Sequence, residues 1–403
     1  MGKLKTFMVT LANTHAVFYS GQFIDGQVIV ELNEEMKMRG IRIKFEGHAH
    51  VQFRDRVSEH HVGGRKHGAN HGGGHTEMRT FTGNESYFEH VVVIVGKGPG
   101  QSGDDMVLPA GQYVYPFNYQ LPAGLPSSFE GDHGRVRYSF VGVIDRPWKF
   151  DHTCKGAFTV VDPLNLNMEP TAMQPAEGRN SKTLGCLCCT TGPISAVFRL
   201  GRLGYVPGES IGLYGEVNNG SDRLITSSYI ELIMTVNYHA RTRSKSVTKS
   251  LARVQHGSID GGDTDVWNGD LLHIPPLPPS GLRGCRIIDI QYTLSLTVDP
   301  SGPSMDLVVP INILIGSIPL QAAVAQYGPP APMGPPSDGN IQNLPSTVPS
   351  APSMPPPSYA ESALGKVDIR TENDNEHTRG NMEFAPVYTY YNWNRQTQDN
   401  TRT

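Results

Sequence analysis

Apolar and polar side chains alternate in short runs along the first 320 residues. In Ile41-Arg-Ile-Lys-Phe45, three apolar side chains share one face and Arg42 and Lys44 take the other. Gln27-Val-Ile-Val-Glu-Leu32, Tyr229-Ile-Glu-Leu-Ile-Met-Thr-Val236 and Ile290-Gln-Tyr-Thr-Leu-Ser-Leu-Thr-Val298 repeat the theme. A period of two puts every second residue toward a core, which predicts strands. Asp25-Gly26, Asn218-Asn-Gly220 and Asp260-Gly-Gly262 supply the turns between them. No long stretch carries a 3.6-residue period, so the expected fold class is all-β, with antiparallel sandwiches.

The alternation breaks between residues 163 and 182, where Asp162-Pro-Leu-Asn-Leu-Asn-Met-Glu-Pro170 and Gln174-Pro-Ala-Glu-Gly178 bring in prolines, and strands are expected to resume at Ile194. This divides the chain into a first sandwich (1–162), a linker (163–182) and a second sandwich (183–320), each long enough for its own core. Tyr19-Ser-Gly-Gln-Phe-Ile-Asp-Gly-Gln-Val28 and Tyr205-Val-Pro-Gly-Glu-Ser-Ile-Gly-Leu-Tyr214 read as the same phrase, an aromatic, a turn, a glycine and a strand, which suggests two related units in tandem. Residues 321–403 hold 12 of the 31 prolines, five Lys/Arg and eight Asp/Glu, with few aliphatic side chains. Such a segment buries too little surface to offset its ordering entropy, and a disordered Pro-rich tail is expected.

Composition narrows the function classes. The chain has 403 residues, 34 basic against 38 acidic, for a formal charge of −4. No net field favours a polyanion, so a main role with nucleic acid is disfavoured. The longest apolar stretch, Leu307-Val-Val-Pro-Ile-Asn-Ile-Leu-Ile315, is too short and broken to span a bilayer. Met1-Gly-Lys-Leu-Lys-Thr6 has no apolar region, which argues against secretion; Gly2 and Thr6 match a myristoylation pattern superficially, in what reads as a strand entry. Five cysteines without a signal segment imply reduced thiols and a cytoplasmic protein.

Further phrases sharpen the picture. The first half contains Leu108-Pro-Ala-Gly-Gln-Tyr-Val-Tyr-Pro-Phe117, Leu121-Pro-Ala-Gly-Leu-Pro-Ser-Ser-Phe-Glu-Gly131, Arg137-Tyr138 and Arg146-Pro-Trp148. The second contains Cys189-Thr-Thr-Gly-Pro-Ile-Ser195, Gly204-Tyr-Val-Pro-Gly-Glu209, Ile274-Pro-Pro-Leu-Pro-Pro-Ser280, Cys285-Arg-Ile-Ile-Asp-Ile-Gln-Tyr292 and Ile315-Gly-Ser-Ile-Pro-Leu320. In this order they resemble the α-arrestin (arrestin domain-containing) family. The resemblance implies two tandem arrestin-like β-sandwiches, no enzymatic activity and no cofactor. Phe129 and Trp148, read on size alone, are expected to plug a sandwich.

The tail carries the most specific chemistry. Pro356-Pro-Ser-Tyr359 is a PPxY motif: a polyproline II segment presents flat proline faces to an aromatic-lined groove, and the tyrosine adds an apolar anchor with a polar tip. By resemblance, such motifs bind WW domains of NEDD4-family HECT ubiquitin ligases, with Pro356, Pro357 and Tyr359 as contacts. Ala385-Pro-Val-Tyr388 lacks the first proline and is read as a weaker second ligand through Pro386 and Tyr388; about 28 residues lie between the tyrosines, close enough for avidity. Pro349, Ser350, Ala351 and Pro352 resemble the late-domain tetrapeptide that binds the ESCRT-I sorting complex. Arg241, Arg243, Lys245 and Lys249 are placed on one strand face, read either as a solvated surface or as a contact for phosphorylated tails or anionic lipid.

Other clusters take structural readings. His67, His71 and His75 recur every four residues, but the surrounding glycines oppose a helix, so a hairpin insertion is expected and no metal site. Cys186, Cys188 and Cys189 lack a second pair at zinc spacing. Gly208-Glu-Ser-Ile-Gly212 matches a nucleophile elbow, yet a strand follows where a helix is needed. Gly96-Lys-Gly-Pro-Gly-Gln-Ser-Gly103 lacks the Lys-Ser/Thr of a phosphate loop.

The expected function is therefore an adaptor that brings a ligase to membrane-protein cargo (a receptor or transporter), for ubiquitination, endocytosis and sorting. Cytoplasmic residence, recruitment to plasma membrane and endosomes, and peripheral membrane association go with it. The alternative within the family is a thioredoxin-binding regulator, but Val254-Gln-His-Gly-Ser-Ile-Asp-Gly-Gly-Asp-Thr-Asp-Val-Trp267 lacks the expected cysteine, and Cys285 is placed in an apolar strand.

Overall fold

The computed structural model describes residues 3–59, 75–186, 189–327, 358–372 and 374–393. Among the described residues of the first domain, alternation produces β1 (Leu4–Leu11), β2 (Val17–Tyr19), β3 (Phe23–Leu32), β4 (Met36–Met38), β5 (Gly40–Glu59), β6 (His75–Gly96), β7 (Met106–Leu108), β8 (Gly111–Gln120), β9 (Phe129–Gly131), β10 (Gly134–Asp145) and β11 (His152–Val161). One sheet runs β1-β3-β8 and the facing sheet β2-β11-β10-β5-β6. Ile41, Ile43 and Phe45 point inward, as their spacing requires, and are fully buried. Phe45 stacks on Tyr119 at 4.7 Å between ring centres and meets Phe117, Phe140 and Phe158.

Phe129 fills the expected position in the core, at 0% exposure. Trp148 does not. It sits at the apex of the β10–β11 hairpin at 98% exposure, so the expectation that it plugs a sandwich is corrected. Hydrophobic size alone says nothing about which side of a strand end a turn residue takes.

The second domain repeats the plan with β12 (Ala176–Cys186), β13 (Cys189–Leu200), β14 (Gly204–Tyr205), β15 (Ser210–Asn219), β16 (Ile225–Ala240), β17 (Arg243–Gln255), β18 (Thr264–His273), β19 (Ile288–Pro300) and β20 (Leu307–Ile315). Its sheets run β12-β13-β15-β18 and β14-β20-β19-β16-β17. Strands begin well before Ile194: β12 starts inside the segment expected to be a linker. It is an edge strand with Glu177 and Arg179 on its outer face and Gly178, Asn180 and Lys182 on the other, so little apolar alternation is there to read. Cys285 likewise lies in the loop before β19, not in a strand.

The domains are tied together directly. The Leu164 amide donates to Ser317 Oγ at 2.7 Å, Arg286 pairs with Glu85 at 2.9 Å, and Arg283 pairs with Asp162 at 3.3 Å. Tyr238 of β16 reaches over the first domain, where its ring packs edge-on against His133.

After β20 a short helix, α1 (Gln321–Tyr327), begins in the region expected to be unfolded. Ala323 packs with Leu166, Ala172, Val206 and Leu320. Farther on, β21 (Ser358–Glu361), β22 (Val367–Asp368), β23 (Thr378–Gly380), β24 (Glu383–Phe384) and β25 (Val387–Tyr390) follow the body, β23 adding to β11 in parallel. The tail's own apolar residues are few, but Ile369, Phe384, Tyr388 and Tyr391 are buried, and Tyr388 and Tyr391 reach carbonyls of the two domains. Composition of the tail alone could not register that contribution.

Candidate functional site

The most developed surface feature is the seam between the tail and the two domains. It starts where the outer face of the first domain's larger sheet turns polar. Because β5 and β10 pair with His50 opposite Arg135 and His48 opposite Arg137, these polar side chains lie on one outward face. Arg137 forks onto Glu130 with two bonds of 2.6 and 2.8 Å, both residues buried. Burial pushes the Glu130 carboxyl up, and Arg137 works against that rise. Removing either partner would leave a buried charge without its counterion.

Tyr388 closes over this region at 2% exposure, and its hydroxyl donates to the Ser128 carbonyl at 2.9 Å. Burial holds its phenol well above the ordinary value, with Glu130 adding in the same direction. The Val387 amide donates to Thr159 Oγ1 at 3.1 Å. Upstream, Lys155 pairs with Asp374 at 3.1 Å, and the Thr153 amide donates to the His377 carbonyl at 3.2 Å. Burial pulls the Asp374 carboxyl upward, but the Thr371 amide and Lys155 outweigh it and leave it below the usual range. Between these contacts, β1, β11 and the tail enclose a cleft of about 770 Å³.

The second domain receives the end of the same segment. Tyr391 donates its amide to the Pro207 carbonyl at 3.0 Å and its hydroxyl to the Ser317 carbonyl at 2.7 Å. Gly208, with φ of +94°, lies so close under the Tyr391 backbone that a Cβ would collide with the Tyr391 carbonyl. Gly380 meets the same constraint from the tail's side, against the Lys155 carbonyl, with φ of +120°. Glycine is needed at both contacts, for backbone angle and for close approach. Tyr390 adds a hydrogen bond with His273 Nε2 at 2.8 Å.

The predicted site residues fall in different places. Pro349, Ser350, Ala351, Pro352, Pro356 and Pro357 lie outside the described residues. The backbone of Tyr359 belongs to β21 and is paired with Thr389 of β25. Pro386 accepts the Ser362 amide through its carbonyl, and Tyr388 is buried as described. The weaker-ligand tyrosine is thus inside the body, not displayed on a free tail. Its Pro-x-Tyr spelling is equally suited to either environment, so the sequence could not distinguish them.

Arg241 occupies the β16–β17 turn at φ of +56°, off the strand face on which it was placed. Arg243 lies 3.9 Å from Asp55 of the first domain, and Lys249 lines a cavity of about 150 Å³ that also holds Glu130, Asp132 and Leu364. Part of this basic strand therefore faces the other domain.

The remaining chemistry is structural among the described residues. Residues 60–74 and Cys188 lie outside them, and no cluster of His, Cys, Asp or Glu within them could hold a metal. Ser210 begins β15 and faces His273 across the ladder at 3.4 Å; the other His273 nitrogen meets the Tyr390 hydroxyl, so no carboxylate orients it as a base. Glu209, three residues into the same phrase as Val206, pairs with Arg202 at 3.0 Å and braces the loop under Tyr391. Burial pushes the Cys285 thiol up, away from thiolate reactivity. No helix among the described residues is long and apolar enough to cross a membrane.

Comparison with known proteins agrees with this architecture. The N-terminal domain model of arrestin (or S-antigen) matches residues 7–167, and the C-terminal domain model matches residues 190–320. Arrestin domain-containing protein 17 of Caenorhabditis elegans is 29% identical over 97% of this chain and 100% of its own length. Arrestin domain-containing protein 4 of Mus musculus is 30% identical, covering 79% of this chain and 73% of its own. Human thioredoxin-interacting protein is 26% identical over 78% of this chain and 75% of its own. With both domain types present in order and relatives of this kind, the chain belongs to the α-arrestin, or arrestin domain-containing, family.

Proposed function

We propose that this protein is a non-catalytic adaptor that recruits NEDD4-family HECT ubiquitin ligases to membrane-protein cargo. The observation that carries this reading is Pro356-Pro-Ser-Tyr359, set immediately before a tail segment fastened to both domains. A ligand held this way stays beside the body, so a bound ligase works at high local concentration on whatever the domains hold. WW grooves take the motif as polyproline II. Ligase engagement therefore exchanges the short β21–β25 pairing for the groove, while Tyr388 and Tyr391 keep the following segment attached.

In this reading Pro356, Pro357 and Tyr359 form the ligase contact, and Pro386 and Tyr388 act as ligand only after the tail lifts. Pro349-Ser-Ala-Pro352 supplies an ESCRT-I contact, which a Pro352→Ala chain would lose. Arg243, Lys245 and Lys249, with Arg241 at the turn, contribute cationic contacts to cargo tails or lipid. Recruitment from cytoplasm to plasma membrane and endosomes follows from cargo and ligase together.

Co-precipitation of the full chain with a WW-domain array tests the proposal. Tyr359→Ala should remove most binding, and Tyr388→Ala alone should not reduce it. Undiminished binding by Tyr359→Ala with Tyr388→Ala would end the ligase reading.

A further inference from the structure

The β10–β11 hairpin presents a feature the adaptor role does not use. Arg146-Pro-Trp-Lys-Phe-Asp151 puts two large aromatic rings in water, Trp148 at 98% and Phe150 at 74% exposure. Trp148 also has φ of +59°, a left-handed conformation that is a true outlier for a bulky residue. The turn holding it is built: Arg146 Nε donates to the Phe150 carbonyl at 2.8 Å, and the Arg146 amide donates to Asp151 Oδ1 at 3.0 Å. The hairpin is closed on itself and its strain is maintained by these bonds, so the exposed ring is a product of local structure.

Its position and surroundings select the partner. β10 begins at Gly134, against Tyr238 of the second domain, and ends about 37 Å away at 3.4 Å per residue. The rings therefore mark the end of the first domain remote from the second. They protrude at the hairpin's apex, and Trp148 lines neither the cleft against β11 nor the cavity beside Lys249. Two cations belong to the same turn: Arg146, bonded to the Phe150 carbonyl, and Lys149, exposed between the two aromatics, while Asp151 accepts the Arg146 amide. Asp145 is already taken up by Arg39 and Arg42. A protruding pair of aromatic rings with cations beside it matches the bilayer interface, where amphipathic rings sit at headgroup depth and ammonium or guanidinium groups meet lipid phosphates.

We infer that the Trp148–Phe150 hairpin is an interfacial anchor that inserts into the headgroup region of an anionic membrane and holds the first domain against it. The partner is the lipid surface itself, independent of which cargo is bound. The inference is compatible with the adaptor role but does not require the ligase contact, since WW binding in solution is read separately.

The test uses the full chain with phosphatidylcholine vesicles containing about a quarter phosphatidylserine, and with phosphatidylcholine alone. Trp148 is one of three tryptophans, so a difference spectrum against Trp148→Phe isolates its emission. The expected result is a shift of that emission to shorter wavelength on the anionic vesicles, with a smaller shift on the neutral ones. Trp148→Ser should weaken vesicle co-sedimentation by roughly tenfold, and Lys149→Glu by about fivefold, on anionic vesicles. Phe150→Ser keeps the reporter and should reduce the shift. WW-domain capture by all three variants should be unchanged. Emission that ignores both vesicle types, or co-sedimentation that survives Trp148→Ser, overturns the inference and leaves the aromatic pair to a protein groove.

Discussion

In the first domain, Tyr138 on β10 sends its hydroxyl to the Pro126 carbonyl at 2.7 Å; in the second, Tyr292 on β19 sends its own to Pro278 at 2.8 Å. Val17–Tyr19 pairs in parallel with the domain's last strand, and Gly204–Tyr205 does the same with β20. The hairpins that follow the two tyrosine-bearing strands differ. One carries Trp148 and Phe150 on either side of Lys149; the other, Ser301-Gly-Pro-Ser-Met-Asp306, exposes only Met305 as a large apolar residue. Duplicated cores thus carry unlike ends. Packing constrains every inward position, whereas a turn beyond the last core residue is free to diverge and to carry a local task.

The sharpest way to break this division between core and end is to truncate one aromatic from each. Phe129→Ala should lose about 3–5 kcal/mol, since a buried ring leaves a cavity behind. Trp148→Ala should change stability by no more than about 0.5 kcal/mol, as an exposed ring has little packing to lose. Denaturant midpoints read both. Equal losses would mean that the hairpin aromatic is part of a core after all.

Next in size is the duplicated tyrosine. Tyr138→Phe and Tyr292→Phe each remove one buried donor and orphan one proline carbonyl, a loss of about 1–3 kcal/mol apiece. Similar values are expected, because depth and bond length match. A negligible loss in either domain would show that the two corners only look alike.

The same division explains what was readable beforehand. Ile41, Ile43 and Phe45 announce their strand because one face is wet and the other dry. β12 announces nothing, as an edge strand is wet on most sides. Tyr359 reads as a ligand from two prolines, a spacer and a ring, and Tyr388 reads as a poorer copy. Its Ser128 partner lies 260 residues away in sequence, a pairing that only the folded chain brings together. Gly208 stood in a phrase resembling a catalytic elbow, and its actual requirement is imposed by Tyr391, another distant backbone. Local patterns report local physics, so contacts made by the tail were the least legible part.

The tail's hold offers a smaller effect that separates it from both domains. Gly380→Ala adds a Cβ facing the Lys155 carbonyl at a φ that disfavours side chains, and both consequences fall on the tail. Limited proteolysis within residues 361–393 should accelerate several-fold, while the midpoint for unfolding the domains shifts by about 0.5 kcal/mol or less. A large drop in the domain midpoint with unchanged cleavage would make the tail an integral piece of the first domain.

Acid should loosen the same hold in two stages. His152 is pushed down to about 4, first by burial and then by Arg146, His377 and Arg379. The part of that depression due to His377 and Arg379 exists only while the tail is docked, so the docked form loses stability relative to the undocked one as pH falls toward about 4. The rings of His152 and His377 meet edge-on at 5.3 Å, which places this titration at the tail contact. Asp374 responds later. Its value is held below the ordinary 3.8, so its contribution is present above that pH and disappears as pH falls through the lower docked value. Proton NMR of the His152 ring should show a midpoint near 4 in the natural chain, and His377→Ala with Arg379→Ala should move it upward toward 6.5. A midpoint indifferent to those two substitutions would assign the depression to the first domain alone and remove the upper stage of tail release.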